Sequence, residues 1–293
     1  MSPLRAWLAA IRPRTLGLAV SPVVLGTALA VHDGAAFRPG VFLATLAAAL
    51  LIQIGTNLHN DAADFERGTD GPERLGPPRA VASGWLSARA VLRGAWGAFL
   101  FAFLLGCYLV AVGGWPIVGL GLASLAAGVA YSAGPRPLSG LPLGEIFVVL
   151  FFGLVAVAGS YELQAGGFST RAWLAGLVPG LPAAGVLLVN NHRDREGDRR
   201  SGRRTLAGML PPAAVVWLYG AMLVTAVGTA PFLFEHRVLA LPVLLMLVPA
   251  FDLVAALRRS SGRSLNAVLA RTAGFQLALG GLTALCLLVD KVA

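Results

Sequence analysis

Charge is scarce in this chain of 293 residues. Only 13% of the side chains are charged, whereas 57% belong to the hydrophobic set, and the mean hydropathy is +0.75. Lysine is almost absent, because 22 of the 23 basic residues are arginine. About a quarter of the residues of an ordinary soluble domain are charged, so this balance excludes that class of protein.

Cysteine is also scarce. The only two, Cys107 and Cys286, lie in apolar stretches far apart in the sequence, and no second type of metal ligand lies near either of them. A disulfide framework or a zinc site is therefore not expected.

Long apolar runs are abundant instead. A run of ~20 residues crosses a ~30 Å hydrocarbon core as a helix and is about twice as long as a barrel strand requires. The sequence therefore predicts an all-α membrane protein with about nine transmembrane helices in a single polytopic domain, residues 1–293. The predicted spans are 16–32, 41–58, 91–112, 115–131, 143–161, 172–190, 213–232, 238–256 and 272–289.

Residues 1–12 are too short for a span and combine Trp7 and other apolar side chains with basic ones. We predict an interfacial helix that leads into the first crossing. A cleaved signal peptide is the alternative, but Arg12 and Arg14 interrupt its hydrophobic core where cleavage would be expected.

The net charge of +9 would suit a nucleic-acid-binding protein, but the arginines are not distributed for that role. If the N-terminus is cytoplasmic, 19 of the 23 basic residues lie at that end or after even-numbered spans. This is the positive-inside pattern. It predicts a protein of the cytoplasmic (inner) membrane, with membrane lipid around it, a cytoplasmic N-terminus, an external C-terminus and no nucleic-acid partner.

Eight of the fourteen acidic residues form two clusters, five within 61–73 and three within 194–198. Both clusters follow an even-numbered span. They are therefore predicted to meet on the cytoplasmic side, in motif loops at 59–90 and 191–212. The two stretches share an asparagine-rich helix end followed by spaced aspartates, a weak sign of an internal repeat.

Helical spacing would place the polar side chains of each cluster on one face of a helix. Carboxylates held close together resist ionising unless a cation lies between them. Oxygen ligands that leave room for water and phosphate suit Mg²⁺. Two loops whose charges merely face water are the alternative, but solvation would not require the accompanying asparagines. The residues concerned are Asn57, Asn60, Asp61, Asp64, Asn191, Asp194 and Asp198.

Arginines surround both clusters, and guanidinium groups bind phosphate oxygens through two parallel hydrogen bonds. Together with magnesium carboxylates they suit a diphosphate, whose charge they would stabilise as it leaves. Any single arginine could instead be a topological anchor. Tyr131 ends the fourth span. It could be an interfacial aromatic, or its ring could stabilise an allylic cation by ~1–2 kcal/mol.

At these residues the chain resembles the UbiA superfamily of intramembrane prenyltransferases. The likeness is strongest to the branch that prenylates 1,4-dihydroxy-2-naphthoate in menaquinone biosynthesis. Order and spacing agree from about residue 11 to the last span. The matching stretches are 12–16, 55–61 with Asp64, 68–70, 76–84, 131–138, 143–145, 190–198 and 202–206.

The resemblance implies a helical bundle around a central cavity open to lipid, with Mg²⁺ as cofactor. It implies transfer from a polyprenyl diphosphate to an aromatic acceptor, dihydroxynaphthoate, with decarboxylation. Tyr131, Asp61 and Asp194 are the implied catalytic residues. The implied metal ligands are Asp61, Asp64, Asp194 and Asp198, and the implied diphosphate-binding residues are Asn57, Asn60, Asn191, Arg74, Arg79, Arg136 and Arg204.

The chain departs from the pattern at Arg203, where lysine is expected, and at His192, where an apolar residue is expected. Three alternatives stay open. The acceptor could be 4-hydroxybenzoate, homogentisate or a glyceryl phosphate. A cation-coupled transporter would also suit paired intramembrane acids, although a carrier usually places them near the bilayer midplane. A protein that only binds anionic lipid leaves the paired aspartates unexplained.

Overall fold

The computed structural model describes residues 2–68, 74–134 and 137–292, and every regular element in these ranges is helical. Short 3₁₀ or π segments connect several of the α-helices. The α-helices are α1 (Pro3–Ile11), α2 (Pro13–His32), α3 (Pro39–Glu66), α4 (Ala88–Gly113), α5 (Trp115–Ala130), α6 (Gly144–Val149), α7 (Ala156–Ala165), α8 (Thr170–Ala175), α9 (Leu177–Arg200), α10 (Leu206–Met209), α11 (Pro212–Thr229), α12 (Leu241–Leu244), α13 (Leu247–Arg259) and α14 (Leu265–Asp290).

Within the described ranges, eight helical stretches are long and apolar enough to cross a membrane. The shorter apolar helix α5 is the ninth stretch, and only Gly114 separates it from α4. Gly114 has a φ of 70°, a backbone conformation that glycine adopts without strain. The predicted all-α membrane fold with about nine spans is confirmed.

The helix ends differ from the predicted boundaries where the acidic clusters lie. α3 continues to Glu66 and α9 to Arg200, so the predicted loops 59–90 and 191–212 are helical in their first parts. The length of an apolar run shows only how much of a helix lies inside the hydrocarbon core. The helix itself can continue beyond the core, because its backbone hydrogen bonds are internal. Asp61, Asp64 and Glu66 of the first cluster therefore lie on α3, and the second cluster lies on α9, as their spacing predicts. We call this end of the bundle the motif end.

The fifth span contains a π-helical segment, Leu150–Val155, between α6 and α7. At its centre Gly153 lies against α9, where an added Cβ atom would approach the Cα atom of Gly180 to 2.7 Å. No real side chain fits such a space. The backbones of this span and of α9 are therefore in direct contact, which fixes the position of α9 relative to α6 and α7.

The core at the centre of the bundle is formed by α2, α7, α9, α11 and α14, which contribute fully buried leucines such as Leu25, Leu188 and Leu279. One polar pair lies in it: the hydroxyl groups of Tyr219 and Thr272 are 2.6 Å apart. Because the Thr272 hydroxyl donates to the carbonyl of Val268 at 2.8 Å, it accepts from Tyr219, and both hydroxyl groups are hydrogen-bonded, as burial requires.

A second group of charges lies at the opposite end of the bundle. It lies where α2 and α14 end, about 30 Å from the start of α2 at 1.5 Å per residue. The carboxylate of Asp290 is fully buried and accepts hydrogen bonds from two backbone N–H groups and two histidine rings, at 2.8–3.0 Å. We call this group the distal cluster; its members are His32, Asp33, Arg171, His236 and Asp290.

Candidate active site

A cavity of about 2480 Å³ enters the bundle from the motif end. Deeper in the bundle its walls are apolar, with side chains such as Leu18, Ile52, Leu120 and Phe151. Near the ends of α3 and α9 the walls carry carboxylates, amides and guanidinium groups. A cavity with one charged end and one long apolar end suits a ligand that has a charged head and a hydrocarbon tail.

On α3, Asp64, Asn60 and Asn57 line the cavity. Asp64 accepts a hydrogen bond of 2.8 Å from Nη2 of Arg79. The Oδ1 atom of Asn60 is buried and has no hydrogen-bond partner among the described residues. Asn57 donates to the carbonyl of Ile11 at 2.9 Å, which ties α3 to the end of α1.

Asp61, which is predicted to be a catalytic metal ligand, is not among the residues that line the cavity. Its two oxygens accept the backbone N–H groups of Ala80 and Val81 at 3.1 and 3.3 Å, in the loop that also carries Arg79. Asp61 therefore holds this loop against α3. The reason is geometric, because Asp61 lies at the edge of the polar arc of α3 that faces the loop.

On α9, Asp194, Asp198 and Asn191 line the cavity, as their spacing predicts. Arg193 binds both oxygens of Asp194, at 2.8 and 2.5 Å. The carboxylate of Asp198 lies 3.6 Å from Nη1 of Arg203. The two acidic clusters therefore face the same space. Asp64 and Asp198 are close enough for their charges to repel, and Arg203 attracts both.

The arginines of the cavity are only partly those predicted. Arg74 and Arg79 line it. Arg204 does not; its predicted place is taken by Arg203, which also donates to the carbonyl of Ser139 at 2.9 Å. Adjacent residues point in different directions, and the sequence motif does not distinguish them. Arg136, also predicted to bind diphosphate, lies outside the described residues.

Arg12 is a cavity residue that the sequence analysis matched to the family pattern but gave no role. It joins α1 to α2 with a φ of 57°, unusual for a residue other than glycine. Its Nη2 atom is buried and has no hydrogen-bond partner among the described residues. Burial and the nearby Arg74 lower the pKa of its guanidinium group, yet arginine stays charged in proteins. A buried charge with an unused donor suits an anionic ligand.

Tyr131 follows α5 and lines the cavity. Burial is the main cause that raises the pKa of its phenol to about 12, and Arg203, Asp64 and Arg12 also act on its charge. The phenol is therefore neutral at physiological pH. Tyr131 therefore lies in the part of the cavity that carries charged side chains.

The sequence analysis did not identify Asn266, at the start of α14. This amide contacts both Arg193 on α9 and the carbonyl of Leu75. A single asparagine at the beginning of an apolar span forms no pattern, so no signal in one sequence could have indicated this role.

The donor set of the cavity fits Mg²⁺. Among the described residues no group of three or more histidine, cysteine or acidic side chains is placed to hold a metal ion. Mg²⁺ does not require such a group, because it is often bound by one or two carboxylates together with substrate phosphates and water. Asp64, Asp194 and Asp198 supply carboxylates, and the unpaired Oδ1 of Asn60 supplies a neutral oxygen.

Comparison with known proteins gives a consistent picture. Residues 19–280 match the model of the UbiA prenyltransferase family. The 1,4-dihydroxy-2-naphthoate octaprenyltransferase of Haemophilus influenzae is 33% identical over 264 residues, 82% of this chain and 83% of the relative. The enzyme of the same name from Escherichia coli is 39% identical over 70% of this chain and 68% of its own length. That from Mycobacterium tuberculosis is 35% identical over 77% of each chain.

Solved structures share the fold. A UbiA homolog from Aeropyrum pernix superposes with a TM-score of 0.71 at 18% identity, covering 93% of this chain and 97% of its own. A UbiA homolog from Archaeoglobus fulgidus, bound to DMAPP and Mg²⁺, gives a TM-score of 0.70 at 14% identity and covers 97% and 99% of the two chains.

Proposed function

Since this chain belongs to the UbiA prenyltransferase family and is a multi-pass membrane prenyltransferase, we propose that it transfers a polyprenyl group from its diphosphate to 1,4-dihydroxy-2-naphthoate. The naphthoate acceptor rests on the relatives that carry this name and share 33–39% of their residues with the chain. The polyprenyl donor rests on the shape of the cavity, with its charged end and long apolar walls.

One observation carries the proposal. The carboxylates of α3 and α9 lie in one cavity with Arg12, Arg74 and Arg203, and the Nη2 atom of Arg12 and the Oδ1 atom of Asn60 have no hydrogen-bond partner within the described part of the chain. Burying charged groups in a membrane protein costs free energy, so such groups are expected to pair with each other or to bind a ligand. A diphosphate with its cation matches both the carboxylates and the guanidinium groups.

In the proposed reaction, Arg12, Arg74 and Arg203 bind the diphosphate oxygens through charge-assisted hydrogen bonds. Asp64, Asp194 and Asp198, with the amide oxygen of Asn60, would hold Mg²⁺. When bound, Mg²⁺ would neutralise charge on the diphosphate and so favour its departure. The arginines stabilise the same charge as the bond between C1 and the oxygen breaks and the oxygen keeps the electron pair.

The ring of Tyr131 would face the allylic C1, whose positive charge it stabilises through its electron-rich face. The acceptor ring then forms a bond to C1 with its own electron pair. Its carboxylate leaves as CO₂, and the pair left behind restores the aromatic ring.

We also propose that the motif end faces the cytoplasm and that the membrane is the cytoplasmic (inner) one. The distribution of arginines supports this orientation, because 19 of the 23 basic residues lie at that end or in the loops on that side. The N-terminus would then be cytoplasmic and the C-terminus external.

The test is product analysis with the purified full-length chain in detergent. We expect prenylated, decarboxylated naphthoate when dihydroxynaphthoate, a labelled polyprenyl diphosphate and Mg²⁺ are present. We expect no product with EDTA, and at least ten times less with 4-hydroxybenzoate or homogentisate. Equal or faster transfer to either of these rings would refute the proposed acceptor.

A further inference from the structure

The amide of Asn266 connects three separate parts of the motif end. Its Oδ1 atom accepts a hydrogen bond of 2.6 Å from Nη1 of Arg193, and its Nδ2 atom donates to the carbonyl of Leu75 at 2.9 Å. Both the oxygen and the nitrogen of the amide are therefore hydrogen-bonded. The side chain, at the start of α14, joins α9 to the loop that carries Arg74.

Arg193 in turn binds Asp194, in the acidic cluster of α9. Its side chain is 2% exposed, and each of its three nitrogen atoms donates to a protein group, Asp194, Asn190 or Asn266. Arg193 lines the cavity as well, and its hydrogen bonds hold the carboxylate of Asp194 there. A guanidinium group fixed on three sides sets the direction of the carboxylate that it binds.

The loop lies directly against Arg193. A Cβ atom added to Gly76 would approach Nη2 of Arg193 to 2.9 Å and Nη2 of Arg74 to 3.1 Å. A side chain at position 76 would therefore have to displace the end of one of these guanidinium groups. Hence the loop with Arg74 and the helix with Asp194 meet at one place, and Asn266 binds both sides of it.

We propose that Asn266 is a positioning residue for the diphosphate site. Its amide holds Arg193, and through it the carboxylate of Asp194, in register with the loop that carries Arg74. The inference rests on the proposed function, because the ligand whose binding depends on the relative position of Asp194 and this loop is a prenyl diphosphate. The aromatic acceptor does not depend on it.

The kinetic test uses Asn266→Ala, which removes both hydrogen bonds, and Asn266→Asp, which keeps an acceptor for Arg193 but loses the donor to Leu75. A hydrogen bond to a charged group contributes ~1.5–3 kcal/mol. We therefore expect Asn266→Ala to raise the KM for prenyl diphosphate by about 10- to 100-fold and to leave the KM for the acceptor unchanged.

Limited proteolysis gives a second measurement that does not need turnover. Trypsin cleaves after Arg74, next to the carbonyl that Asn266 binds. In detergent, both variants should be cleaved there at least several times faster than the wild type. Mg²⁺ with inorganic diphosphate should protect the wild type and fail to protect Asn266→Ala.

The matched control is Gln276→Leu, a change to another buried amide of α14 that contacts the backbone of Leu18 away from the charged residues. It should change at most the melting temperature, without altering either KM or the cleavage after Arg74. If Asn266→Ala shows only this pattern, or the wild-type cleavage rate, the inference is wrong. If Asn266→Ala does not fold, the test is the rate at which Asn266→Asp is cleaved after Arg74: cleavage no faster than in the wild type would contradict the inference.

Failure of the proposed function would look different. A wild-type protein that prenylates another ring, or none, would overturn the acceptor. The cleavage and protection measurements would still test Asn266, because they require only inorganic diphosphate.

Discussion

The motif end and the distal cluster both bury charged groups in a membrane protein, but they satisfy them differently. In the distal cluster the protein supplies the partners: Asp290 accepts four hydrogen bonds, and Arg171 binds Asp33. At the motif end, buried polar atoms of Arg12, Asn60 and His192 have no partner among the described residues. Buried polar groups that satisfy each other stabilise a fold, whereas groups left unsatisfied indicate a ligand.

The energies support this distinction. A buried polar group without a hydrogen bond costs ~1–3 kcal/mol. Several such groups in one cavity would lower stability considerably unless a ligand supplied their partners. We therefore expect changes at the motif end to alter activity more than stability, and changes in the distal cluster to do the reverse.

The largest effect is expected for Asp198→Asn, measured with the proposed substrates. Loss of a carboxylate from the cation and diphosphate site should lower kcat/KM by about 10³-fold, comparable to the loss of one strong electrostatic contribution to a transition state. The melting temperature should stay within a few degrees. Asp252→Asn is the matched control, because Asp252 pairs with Arg271 outside the cavity. Activity above a tenth of the wild type in Asp198→Asn would contradict the metal assignment.

Asp290→Asn should show the opposite behaviour. It replaces a carboxylate that binds two histidines and two backbone groups, so the free energy of unfolding should fall by about 3–5 kcal/mol. Thermal denaturation in detergent measures this loss. The KM values of the protein that remains folded should equal those of the wild type; a selective change in either one would remove the contrast between the two ends.

Arg12→Gln and Arg171→Gln make the same chemical change at the two ends. Arg12→Gln should raise the KM for prenyl diphosphate by about 10- to 100-fold, because a charged hydrogen bond to the ligand is lost. Its apo form should be as stable as the wild type or more so, since a buried charge is removed. Arg171→Gln should lower the melting temperature and leave KM unchanged. Equal behaviour of the two variants would refute the comparison.

The smallest effect is expected at Tyr131. Tyr131→Phe keeps the ring and should change kcat by less than about 3-fold, whereas Tyr131→Leu should lose about 5- to 30-fold, the equivalent of ~1–2 kcal/mol. The pKa near 12 keeps the phenol protonated below that pH. Its ionisation therefore contributes no change in rate between pH 6 and 9. A wild-type rate that rises through this range and becomes flat in Tyr131→Phe would show that the phenol titrates.

Much of the fold could be predicted because apolar length and helical spacing are properties of short stretches of sequence. Helical spacing and membrane topology predicted that Asp64, Asp194 and Asp198 would meet, and all three line the cavity. Asp61 could not be resolved in this way. At ~100° per residue the polar side chains of α3 cover an arc of roughly 100°, and one edge of that arc faces the loop. Which edge does so depends on packing with distant residues such as Ala80 and Val81.

The sequence also could not predict which arginine side chains reach the cavity. Arg203 and Arg204 are adjacent and chemically identical, so only the turn after α9 decides which one reaches the cavity. Arg193 is one of the arginines around the second cluster, and its side chain donates to Asp194, Asn190 and Asn266. The pairing of side chains from α9 and α14 depends on tertiary structure that no motif in either helix describes.

The contact of Gly153 with α9 affects how the chain tolerates change. Lipid provides no hydrophobic force to press two helices together, so a backbone contact of this kind depends on close van der Waals fit. One added methyl group at residue 153 would push apart two walls of the reaction chamber. Even a conservative substitution of glycine at this buried contact should therefore cause loss of function. Larger substitutions on the lipid-facing surface of the same helix should leave activity unchanged.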